Sequence, residues 1–97
     1  MNDLEICKRI AEIEGKYIEC DLPSSVVIHN GGDGKEYNPL TDDGLCFRLM
    51  VKYGLTFNDE NDMYGVASCK YSDEYLCVNE SPNKAICLAI IAAHKDV

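Results

Sequence analysis

The chain has 97 residues, 46% hydrophobic and 27% charged, with 17 acidic and 9 basic side chains and a net charge of −8. That length suits one small domain with a single core, and the composition excludes wholesale disorder. The negative charge disfavours direct binding to DNA or RNA, and no apolar run approaches the roughly eighteen residues of a membrane span.

Residues 2–14 have helical periodicity. Leu4, Ile6, Cys7, Ile10, Ala11 and Ile13 share one half of the wheel, and Glu5, Lys8, Arg9 and Glu12 share the other. Asn2 or Asp3 caps the start, Glu5 and Arg9 are spaced to pair across one turn, and Gly15 ends the helix. Residues 16–22 alternate Tyr17, Glu19 and Asp21 against Ile18, Cys20 and Leu22, the period of a half-buried strand. Pro23 interrupts it, and residues 24–29 form a second extended run, either as one bent strand with the first or as its partner. Residues 30–35, Asn-Gly-Gly-Asp-Gly-Lys, are turn chemistry and predict a hairpin or a mobile loop.

The second predicted helix starts with Thr41 as N-cap and Asp42 and Asp43 in the first turn, and runs to Tyr53 before Gly54. Its apolar arc takes in Leu45, Cys46, Phe47, Leu49, Met50, Val51 and Tyr53, leaving only Arg48 and Lys52 polar. One core surface does not need so wide an arc. Either the helix is wedged between layers or its Phe47/Val51 edge meets another chain, which makes Phe47, Val51, Arg48 and Lys52 a candidate interaction surface.

Residues 56–62 begin extended and become an acidic connector. Residues 63–71 and 75–79 follow as two strands, with Ser72, Asp73 and Glu74 as a three-residue hairpin loop and Gly65 marking a bulge or close approach. The last helix opens with Ser81 as N-cap and Pro82 at its first position. Its apolar run has a small side of Ala85, Ala89, Ala92 and Ala93 and a bulky side of Ile86, Cys87, Ile90 and Ile91, which implies two different neighbours. His94 follows, where a donor suits the free carbonyls. Local hairpins imply antiparallel pairing. The predicted fold over residues 1–97 is therefore a single α+β domain, a small sandwich with three helices packed on a three- to four-stranded, mainly antiparallel sheet.

Chemistry-bearing patterns are sparse. Cys7, Cys20, Cys46, Cys69, Cys77 and Cys87 contain no C-x-x-C pair and no zinc spacing. The N-terminus lacks a basic region followed by an apolar run, so no secretory signal is expected. Free, mostly buried thiols in a reducing compartment follow, with no metal and no cofactor. Glycines 31, 32 and 34 fit neither a Walker loop nor a dinucleotide fingerprint. Asp59 and Asn61 begin a calcium-loop pattern that fails at Met63 and Tyr64. His29, with Asp33, Gly34 and Lys35, is a candidate loop site; as a base it needs a thiol such as Cys20 or Cys69 within reach.

Three blocks carry a family resemblance. The opening Asp-Leu-Glu-Ile-Cys-Lys-Arg-Ile-Ala-Glu, the Tyr37-Asn-Pro-Leu-Thr turn before a helix, and Ser81-Pro-Asn-Lys-Ala-Ile-Cys with its apolar tail resemble the NinX-like small proteins of lambdoid phages and prophages. That family carries a Trp in the strand region after its second helix, where this chain has no Trp and has Tyr64 instead. The resemblance implies a phage or prophage origin, the cytoplasm of a bacterial host and a small α-β-α sandwich, and it implies no activity. The first expectation is thus a non-enzymatic accessory protein that binds another protein or a second copy of itself as a homodimer. The alternatives are a small enzyme or metal-binding protein using the 31–35 loop region, and an acidic DNA mimic that inhibits a host protein.

Overall fold

Each helix begins where a short polar side chain takes up free backbone N–H groups. In α1 (Asp3–Ile13), Asn2 and Glu5 form a reciprocal capping box: the Glu5 N–H donates to the Asn2 side chain at 2.8 Å, and the Asn2 N–H donates to the Glu5 carboxylate at 3.3 Å. Glu5 therefore turns back to the cap, and Arg9 instead reaches the His94 carbonyl at 3.5 Å. The buried stripe of α1 is Ile6, Cys7, Ile10 and Ala11, as the wheel predicts.

The computed structural model describes residues 1–60, 63–68 and 75–94, with the backbone alone in 57–60, 63–68 and 75–78. The fold class is α+β. The strands form two three-stranded antiparallel sheets rather than one sheet of three to four. The first contains β1 (Ile18–Asp21), β2 (Val26–Asn30) and β3 (Asp33–Tyr37). The second contains β4 (Leu55–Glu60), β5 (Met63–Ser68) and β6 (Tyr75–Asn79).

Pro23 separates two paired strands, β1 and β2, and the Leu22 N–H donates to the Ser25 carbonyl at 2.8 Å to close the turn. The register shifts between Ile18 and Cys20, which pair with Ile28 and Val27. That irregularity breaks the alternation. Cys20 consequently comes out exposed, not on the half-buried face where strict period-two reading puts it. Gly31 and Gly32, at φ 65° and 104°, make the two-residue turn between β2 and β3, with the pair of positive φ values that a type I′ hairpin requires. Asp33, Gly34 and Lys35 thus belong to a strand and not to a loop. Gly34 is also sterically required, since a Cβ there would lie 2.8 Å from Val27 Cγ1. In the second sheet, residues 58–60 are strand and not connector: Asn58, Asp59 and Glu60 lie opposite Gly65, Tyr64 and Met63. The predicted loop at 72–74 lies outside the described residues, as do Cys69 and the end of the 63–71 run.

The N-cap of α2 (Asp43–Lys52) is Asp42, not Thr41; the Leu45 N–H donates to Asp42 Oδ1 at 3.1 Å. The displacement traces to Asn38, which organises the preceding turn. Its side chain accepts from the Leu40 N–H at 3.2 Å, and its carbonyl accepts from the N–H groups of Thr41 and Asp42. That uses Thr41 inside the turn and starts the helix one residue later.

The last helix, α3 (Pro82–Ala93), has the Ser81 cap and the Pro82 start that the sequence predicts. It packs against α1 and α2 and also against β5 and β6. Ala85, Ile86, Cys87, Ala89 and Ile90 are buried, whereas Ala92 and Ala93 are exposed, so the small-residue side is covered only along its first two turns. Lys84 Nζ lies 3.6 Å from Asp3 at one end of α3, and Arg9 meets the His94 carbonyl at the other. Helices α1 and α3 therefore run in the same direction. Asn83 bonds Asp43 at 2.8 Å near the two helix starts, and Tyr53 stacks edge-on against His94 near the two ends, so α2 runs that way too. Among the described residues, no helix is long and apolar enough to cross a membrane.

The fully buried Ile90 tests this placement. Ile90→Ala is expected to lose about 2–5 kcal/mol in denaturant titration. Ile90→Asp, which buries an unpaired charge, should yield no folded protein by circular dichroism, and a soluble folded Ile90→Asp would refute the placement of α3.

Candidate functional site

Helix α2 turns Cys46 and Leu49 into the core and keeps Leu45, Met50 and Tyr53 half-buried. Phe47 and Val51 stand 60% and 62% exposed, the wide arc's outer edge. Two concavities flank the helix. On one side, Asp43, Phe47, Met50, Pro82, Asn83 and Ile86 line an apolar groove of about 340 Å³ against the start of α3. Asn83 fixes its walls, donating to Asp43 Oδ1 and, at 3.1 Å, to the Leu40 carbonyl.

On the other side, α2 faces β2, β3 and the end of α1 across a cleft of about 290 Å³. Its rim carries Lys16, Lys35, Arg48 and Lys52, while Ile28, Leu45 and Leu49 contribute apolar wall. Arg48 and Lys52 therefore line the cleft, whereas Phe47 lines the groove. The two halves of the candidate interaction surface serve different concavities.

At one end of this cleft the C-termini of the three helices converge. Glu14 caps α1, and its carboxylate accepts from Lys52 Nζ at 2.8 Å and from the Tyr53 hydroxyl. Lys52 also lies 5.6 Å from the Tyr53 ring centroid. Burial would raise the Glu14 carboxyl, but the Lys52 and Tyr53 hydrogen bonds, with the Lys52 and Lys16 charges, hold it below its usual value. Burial and the same Glu14 contact push the Tyr53 phenol up to about 12. His94 Nδ1 lies 2.8 Å from the Ile90 carbonyl; a carbonyl only accepts, so this nitrogen carries the proton and caps α3.

The four candidate loop residues do not converge. His29 lies on the outer face of the first sheet, 3.4 Å from Glu19 Oε2 and edge-on to Tyr17. Gly34 lies opposite His29 in register and Asp33 opposite Asn30, while Lys35 reaches the charged cleft. Two buried thiols are ill-suited to nucleophilic work: burial pushes Cys7 up to about 11, and the Cys46 sulfur together with burial pushes Cys87 up, so neither is a thiolate at neutral pH. The same contact with Cys87 holds the buried Cys46 thiol down. Among the described residues, no group of three or more His, Cys, Asp or Glu side chains stands together as a metal site.

Sequence reasoning missed Glu14, Lys16, Tyr37 and Tyr53 as site residues. One signal was present: a carboxylate at a helix C-terminus opposes the dipole and calls for a cation nearby. Which cation answers it depends on a contact between residues 38 apart in the chain. Compared with protein-family models, with curated proteins and with solved structures, the chain matches none.

The depressed Glu14 carboxyl fixes a pH dependence. Its unfolded value lies near 4.5 and its folded value lower, so it stabilises the fold above that pH and the contribution is lost as pH falls through the folded value. Glu14→Gln should therefore be less stable than the parent at neutral pH by about 1–2 kcal/mol. The gap should close on acidification below pH 4.5 in urea titrations. A gap that is constant with pH would contradict the ion-paired geometry.

Proposed function

We propose that this chain is a non-enzymatic protein-binding module, an accessory protein of a phage or prophage acting in the bacterial cytoplasm without touching nucleic acid. The observation that carries it is Phe47, more than half exposed on the wall of an apolar groove, with Val51 equally exposed one turn along the helix. Large apolar side chains held open on a rigid helix beside a concavity are the anchors of protein interfaces. The three blocks that resemble NinX-like proteins support the phage setting.

Charge selects the occupant. Two copies of a chain with net charge −8 repel each other, which disfavours self-association. The partner is thus a different protein, presenting an apolar anchor for the groove.

The double variant Phe47→Ser/Val51→Ser tests this. Both positions are exposed, so thermal stability should stay within a few degrees, while affinity for the captured host-cell partner falls about thirtyfold or more. Light scattering should give the monomer mass for the isolated chain. Undiminished partner capture by the variant, or a stable dimer that Phe47→Ser dissociates, would overturn the reading.

A further inference from the structure

The charged cleft holds an excess of cations that the rest of the molecule lacks. Four of the nine basic side chains line it, against three of the seventeen acidic ones. The three acids are already engaged: Glu14 by Lys52 and Tyr53, Glu36 by the Ser25 hydroxyl at 2.6 Å, and Asp42 by the Leu45 N–H. Of the four cations only Lys52 is paired within the cleft; Lys35, Arg48 and Lys16 have no ion pair or side-chain hydrogen bond among the described residues. The cleft thus carries a formal charge of +1, against −9 on the rest of the chain.

A second observation is independent of charge. Tyr37, whose residue is 5% exposed, lines the same cleft, and its hydroxyl is buried without a hydrogen-bond partner among the described residues. An orphaned buried hydroxyl costs stability, and native folds seldom leave one without a use. Tyr37 belongs to the core cluster, so its hydroxyl lies beneath the cleft and is not open to it. The wall between Tyr37 and the cationic rim is apolar, made by Ile28, Leu45 and Leu49. A volume of about 290 Å³ lies at the small end of ligand pockets, enough for one ring bearing a charged group.

We propose that this cleft, between α2 and the β2–β3 hairpin, binds a small organic anion: a carboxylate or phosphate on an apolar body, with Lys35 and Arg48 on the anion and Ile28, Leu45 and Leu49 around the body. The Tyr37 hydroxyl gains its hydrogen bond from a ligand oxygen once the side chains that cover it move aside. This site is separate from the Phe47 groove, and either can fail without the other.

Titration of isotope-labelled protein with phenyl phosphate and with phenylacetate, followed by amide shifts, tests the assignment. Inorganic phosphate supplies the charge-only control and benzyl alcohol the body-only control. At least one aryl anion should give saturable shifts centred on Ile28, Lys35, Tyr37, Leu45 and Arg48, with affinity about tenfold or more above both controls. Whichever probe binds tighter distinguishes phosphate from carboxylate. Lys35→Ala and Arg48→Ala, exposed and unpaired, should keep the fold and each weaken binding about fivefold. Tyr37→Phe should weaken binding with no loss of thermal stability, which a purely structural role would not allow. The proposal is overturned if neither probe saturates, if the shifts centre elsewhere, if affinity matches a control, or if binding survives Lys35→Ala/Arg48→Ala.

Discussion

Burial of α3 is the constraint on which the other contacts depend. Its core residues pack toward the second sheet through β5 and β6 and toward the other helices through α1 and α2, while α1 in turn packs on β1 and β2. Among the described residues, the two sheets share no strand pairing. What joins them is the sequence of contacts from the first sheet through α1 to α3 and on to the second sheet. Ala85 and Ala89, both fully buried, keep the α3 surface low where neighbours come close, and Ile86 and Ile90 supply the bulk that fills the core. A helix placed between layers in this way has to be apolar on most of its circumference, which is why residues 85–91 read so differently from the rest of the chain.

A consequence follows for electrostatics. Three helices running in one direction add their dipoles, and their negative ends gather at Glu14, Tyr53 and His94. A carboxylate placed there would be strongly disfavoured without compensation. The fold compensates locally: Lys52 and the Tyr53 hydroxyl hold Glu14, the His94 ring caps the Ile90 carbonyl, and Arg9 reaches the His94 carbonyl. Lys52 is thereby committed to holding α1 against α2. Arg48, one turn earlier on the same helix, carries no such commitment, which is why the two side chains of one charged face have different duties.

Local chemistry was legible in the sequence wherever it was dense. The Asn2/Glu5 box, the Ser81-Pro82 start, the Gly15 and Gly54 stops and the buried stripe of α1 all follow from short-range patterns. The failures occur where pairing overrides propensity. Asp-Gly-Lys-Glu at 33–36 has no strand character of its own, and it becomes β3 because the Gly31–Gly32 turn returns the chain alongside β2. Asn58, Asp59 and Glu60 are strand because β5 offers a ladder. Cys20 is exposed because one irregular pair shifts the alternation of β1. The candidate surface was half legible: amphipathic excess marked Phe47 and Val51, but nothing local shows that Lys35, Arg48 and Tyr37 share one cleft.

The placement of α2 explains why both concavities border it. The β2–β3 ladder runs up to the Asn30–Asp33 pair at the two-residue tip, and His29 lies toward Glu19 on the outer face of the sheet. Helix α2, by contrast, is anchored through only two fully buried side chains, Cys46 and Leu49. Asp42, Asn83, Lys52 and Tyr53 hold its two ends rigidly. A helix fixed at both ends and buried along one narrow stripe leaves two long edges open, and each edge borders a concavity of different character. The apolar edge suits a side chain that gains by leaving water, and the cationic edge suits a group that brings its own negative charge. One short helix thus borders an apolar groove on one edge and a cation-lined cleft on the other.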